Sequence, residues 1–142
     1  MGRPERAGPP DEKLSVNFGP VDIGTIDLLV EEGFYASRAD FIRHAVRTQL
    51  DEHKAAVLDA TTRRDFSVGY VSLDADYLRS AKKRKQRLDI KVVGVLHLHD
   101  DIDSTLASEV IERVHVLGSL RAPEAVIGVL GDRVVRGRKG AA

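Results

Sequence analysis

The sequence predicts an α+β protein, with an N-terminal strand-helix-helix module followed by a small α/β domain of about three βα-like repeats. Three observations predict it. Residues 13–18 (KLSVNF) alternate polar and apolar side chains, the two segments after them switch to helical spacing, and from Phe66 onward an apolar pattern centred on glycine recurs.

At 142 residues with 42% hydrophobic content, the chain has enough apolar material to bury a core. Its 22 Lys and Arg balance 22 Asp and Glu, so an affinity for nucleic acid has to come from where charges sit rather than from their sum. No stretch approaches 18 consecutive apolar residues, and residues 1–10 lack the apolar segment of a secretion signal, so a cytoplasmic, nucleoid-associated protein with no membrane partner is expected. The absence of cysteine removes disulfides, thiolate nucleophiles and cysteine-type zinc sites. Aromatics at 5% argue against a protein that stacks single-stranded bases.

Residues 1–12 mix Pro, Gly and charge without period and read as a flexible arm. In 13–18, Leu14, Val16 and Phe18 share one face and Lys13, Ser15 and Asn17 the other, which predicts a half-buried strand ended by Gly19-Pro20. Residues 21–32 place Ile23, Ile26 and Val30 on one helical face before Gly33. A second helix is predicted over 35–53, with Ser37 as N-cap, Asp40 as its acidic partner, and Phe41, Ile42, Ala45, Val46 and Leu50 as a broad apolar stripe. The module is placed at 13–58 and a linker at 59–65.

One strand followed by two helices cannot pair its strand within one chain, so a partner is required. Two copies pairing their strands about a twofold axis would close the apolar faces over four helices and turn the polar faces outward as a ribbon that fits the major groove of duplex DNA. Here the chain resembles the ribbon-helix-helix family of bacterial and archaeal regulators, through KLSVNF as the strand and SRADFIRHAVR as the start of the second helix. The resemblance spans residue 13 to about residue 52. It implies a dimeric, sequence-specific, double-stranded-DNA-binding transcriptional regulator, with base contacts from Lys13, Ser15 and Asn17 and phosphate contacts from Ser37, Arg38 and Arg43. Arg43 and Arg47 also fit an ordinary solvated helix face. Gly19-Pro20 departs from the polar cap more usual in the family.

In the second half (66–132), Gly69, Gly94 and Gly118 mark the recurring pattern, 25 and 24 residues apart, with helices predicted over 74–88, over 102–114 and after Pro123. A short βα solenoid and a compact α/β sensor or oligomerisation domain both fit. VVGVLHLHDDIDSTLASEVIERVH is similar to the first strand and helix of the sensor of nickel-responsive repressors, but the positions expected to carry further ligands hold Val126, Gly128 and Val134. His97, His99 and His115 remain as candidate metal ligands, with exposed strand residues as the alternative for the first two, and no cofactor is expected. Lys82-Lys83-Arg84-Lys85 and Arg87 read either as a second phosphate contact or as a solvated helix surface, and 133–142 as a flexible basic tail.

No P-loop, dinucleotide glycine fingerprint, GxSxG elbow or HExxH is present, so an enzyme is not expected. The expected partners are duplex DNA and a second copy bound through 13–58, with association of dimers through 66–132. An antitoxin or an assembly-forming chromosome organiser is the competing class.

Overall fold

The computed structural model describes residues 11–137. Their contacts divide into two units, Glu12–Ala60 and the part from Thr61 onward.

In the first unit, residues 12–19 form neither helix nor strand and pair with no strand. Helix α1 (Pro20–Glu31) starts one residue ahead of the expected position, with Pro20 in the first turn, where its missing N–H costs nothing. Gly33, at φ 81°, supplies the left-handed turn that ends it. Helix α2 (Arg38–Glu52) begins at Ser37, whose Oγ accepts the Asp40 amide at 3.1 Å. The Asp40 carboxylate accepts the Ala36 amide at 3.0 Å, completing a reciprocal cap. After a break at His53, helix α3 (Lys54–Arg63) runs through most of the segment expected as linker. Its KAAVLDATTR sequence holds good helix formers and neither glycine nor proline.

The second unit is a four-stranded, all-parallel sheet in the order β1 (Ser67–Leu73), β2 (Leu88–Leu98), β3 (Ile111–Arg121), β4 (Val134–Arg136). Helices α4 (Ala75–Lys83), α5 (Ser104–Val110) and α6 (Glu124–Leu130) connect successive strands and pack side by side, α4 on α5 and α5 on α6. Each strand pairs with the next in sequential order, and every pair is parallel. A ferredoxin-like sensor has a different, βαββαβ, order. Leu78 and Ala81 of α4, Leu106 and Val110 of α5, and Val126 and Leu130 of α6 are buried with Val92, Leu96, Val114 and Val116 of the sheet. Full burial of each Leu or Val contributes about 1.5–3 kcal/mol.

The three marker glycines lie in one row across the sheet, Gly69 beside Gly94 and Gly94 beside Gly118. A Cβ on Gly94 would meet the Gly69 carbonyl oxygen at 2.1 Å, and one on Gly118 would meet that of Gly94 at the same distance. Their φ values of 131° and 126° are also closed to side chains. Gly69, on the outer strand, has the same backbone and open space beside it.

Three expectations are corrected here. The helix placed at 102–114 is only Ser104–Val110, because Ile111–Arg121 pairs along β2. The helix placed at 74–88 stops at Lys83, where Lys85 turns to φ 56° and the Gln86 amide donates back to the Ala81 carbonyl, so the basic run is a helix end rather than a helical surface. Residues 133–136 are no flexible tail. Arg133 donates to the Ser108 and Ile111 carbonyls, and Val134–Arg136 pairs with Val114–Val116. Residues 138–142, like the arm at 1–10, lie outside the described residues.

Candidate nucleic-acid interface

Lys13, Ser15 and Asn17 all lie exposed on the extended segment ahead of α1. The opposite side of that segment is exposed as well, with Leu14 at 85%. Apolar residues from α1 and α2 do not cover it. Instead Phe18, Ile26, Phe41, Ile42, Val46 and Leu50 line an open apolar concavity of about 340 Å³. Ile26 is the one buried large hydrophobic of this unit among the described residues, while Leu50 is 61% exposed.

At the head of α2, Ser37 is engaged as the cap and its hydroxyl faces the helix amides. The first amides of a helix have no intrahelical acceptor, and the Ser37 cap engages the Asp40 amide rather than those of Arg38 and Ala39. The Arg38 side chain is differently disposed. Its Nε and one terminal nitrogen each donate to Asp27 at 2.7 Å, a two-point ion pair joining α2 to α1. The hydrogen bond to Arg38 holds the Asp27 carboxyl below its ordinary range, and the same bond raises Arg38. Arg43 and Arg47 are exposed on α2. The sequence reading missed Asp27. Its partner is eleven residues away, and only the turn at Gly33 brings the two together.

In the second unit the structure brings His97 and His99 together and keeps His115 apart. The two imidazoles stack with centroids 4.7 Å apart on the face of the sheet away from the helices. Tyr70 Oη lies 2.9 Å from His97 Nδ1, and Ser72 Oγ 2.5 Å from His99 Nε2. Burial, reinforced by His99 and Arg121 and opposed by Asp100, pushes His97 below its ordinary pKa. Arg121 is level with His97 on the neighbouring strand, whereas His115 is level with Lys91, six residues back along β3 or about 20 Å at the rise of a strand. His115 packs edge-on against Phe66. Asp101 accepts the Ala75 amide, and Asp103 caps α5 at Leu106. Among the described residues no group of three or more His, Cys, Asp or Glu side chains is placed to hold a metal ion, and no helix is long and apolar enough to cross a membrane.

Comparison with curated proteins and with solved structures yields no match. The sequence model of one family does match, over residues 9–127, which takes in the extended segment, α1, α2 and most of the parallel sheet. The chain therefore belongs to the ribbon-helix-helix transcriptional regulator family.

Proposed function

We propose that the protein is a transcriptional regulator that binds double-stranded DNA sequence-specifically as a homodimer, with residues 13–18 of two copies paired as an antiparallel ribbon in the major groove. The observation that carries this reading is the unfinished N-terminal unit. Its extended segment has no strand partner, and the apolar faces of α1 and α2 stand open around Phe18, Phe41 and Leu50. A second copy supplies both missing parts by symmetry. Lys13, Ser15 and Asn17 then face the bases, while Ser37, Arg38, Arg43 and the amides at the head of α2 hold phosphate. Arg38 exchanges part of its bond to Asp27 for the phosphate.

The test is enrichment of genomic fragments by wild type and by a Lys13→Ala, Ser15→Ala, Asn17→Ala variant at near-physiological salt. Selection of a palindromic site by wild type alone supports the reading. Equal, salt-sensitive retention of all fragments by both proteins overturns it.

Association of dimers through 66–132 has its own support. Strand β1 is an outer strand whose SVGYVSL sequence carries neither charge nor proline, the usual blunting devices of a sheet edge. A mass that stops at a tetramer fits a regulator, and growth without limit fits an organiser.

A further inference from the structure

The amino ends of the strands carry a concavity that the DNA-binding reading does not use. On the sheet face away from the helices, Arg64, Phe66, Lys91, Arg113, His115 and Val135 line a hollow of about 410 Å³. Lys91, His115 and Val135 stand level on β2, β3 and β4, and Phe66 immediately precedes β1. All of them belong to the unit from Thr61 onward.

The lining is one-sided in charge. It contains three permanent cations and a histidine, and no carboxylate. The carboxylate paired with Lys91 is Asp89, 4.0 Å from Nζ, too long for a hydrogen bond and weak at this exposure. Arg113 forms no ion pair among the described residues and stands on the wall shared with a second hollow, where Asp89, Glu112 and Asp132 lie. Lys91 Nζ also donates to the Arg64 carbonyl at 3.4 Å, while Arg64 and Arg113 have no carboxylate partner among the described residues, so a bound anion would relieve the repulsion among the three cations.

The same hollow has an aromatic shelf, its two rings inclined at 68° to each other. The Arg64 guanidinium lies 5.0 Å above the Phe66 ring, and the His115 ring meets Phe66 edge-on at 5.1 Å. Ring planes and guanidinium planes are surfaces on which a nucleobase stacks. The volume lies within the ordinary range for small-molecule sites.

We propose that this hollow is a binding site for a nucleoside monophosphate, with the base on the Phe66–Arg64–His115 shelf and the phosphate held by Lys91 and Arg113. The site begins one residue after α3 ends.

The experiment is calorimetric titration of the full-length protein with AMP, GMP, CMP and UMP, and with inorganic phosphate and adenosine as half-ligands. Binding of at least one nucleotide is expected, ten-fold or more tighter than either half. Phe66→Leu and Arg113→Gln should each weaken it about ten-fold while the thermal unfolding profile stays as in wild type. As a readout independent of the variants, nucleotide should shift the ring signals of His115 and leave those of His97 and His99 in place. Three outcomes overturn the proposal: no binding of any of the four nucleotides at millimolar concentration, phosphate alone binding as well as the nucleotides, or duplex DNA competing for the site and losing affinity in Arg113→Gln. A failed ribbon test leaves these results intact, because they do not depend on residues 13–17.

Discussion

The two halves of the chain handle apolar surface in opposite ways. Among the described residues, the unit from Thr61 onward buries sixteen hydrophobic residues in one cluster between a sheet and a row of helices. Glu12–Ala60 buries Ile26 and leaves Leu14, Phe34, Leu50 and Leu58 to solvent. The repeat half carries its own core, because each βα unit covers the next. The N-terminal half has its hydrophobic stripes in place but too few layers to close over them, so in the proposed dimer its folding free energy is tied to association.

The sharpest way to break this contrast is Ile42→Asp, which puts a charge on the face that a second copy covers in the proposed dimer. It should cost the N-terminal unit about 4 kcal/mol or more, abolish the dimer in light scattering, and leave the second unfolding transition unmoved. If both transitions shift together, the two halves are not energetically separate. The converse probe is Gly94→Ala, which drives a Cβ onto the Gly69 carbonyl. We expect a loss of about 3 kcal/mol or more in the second transition under urea, with DNA binding kept, whereas Gly69→Ala, strained but with open space beside it, should cost only about 1–2 kcal/mol.

Which parts were readable in advance follows the same division. The Ser37 cap, the Gly33 stop and the α2 stripe are local features, set by neighbours within a turn, and they appear where the sequence places them. The helix expected at 102–114 went wrong because Val110, Ile111 and Val114 fit a helical stripe as well as a strand. Pairing with β2 along most of β3's length outweighs that local preference. The spacing of Gly69, Gly94 and Gly118 was visible, but not its cause, since a carbonyl approaching from the next strand leaves no trace in one dimension. The nucleotide-sized hollow could not be seen at all. Its six residues come from four separate stretches, and no short motif joins them.

Smaller effects refine the comparison. A ten-fold dilution should lower the apparent stability of the dimer-dependent transition by about 1.4 kcal/mol and leave the other untouched. Last comes pH. The folded pKa of His97 lies below its ordinary value, chiefly through burial, so between the two values the unfolded chain binds more protons than the folded one. Stability of the second transition should therefore fall as pH drops through about 6.5 and level off below the folded pKa, and His97→Gln should flatten that slope. A slope unchanged in His97→Gln would place the titration on another group.

The row of glycines also acts as a mechanical index. If a strand slid by one residue, Val93 or Val95 would land where only a hydrogen fits, so neighbouring strands engage at one notch and nowhere else. With alignment fixed by the notch, the stretch between notches is free to vary in length, as the spacings of 25 and 24 residues already do. The helices between the strands already differ, nine residues in α4 and seven in α5 and α6, while the three glycines stay level, which gives this domain a way to change its outer surface without recutting the middle of its sheet.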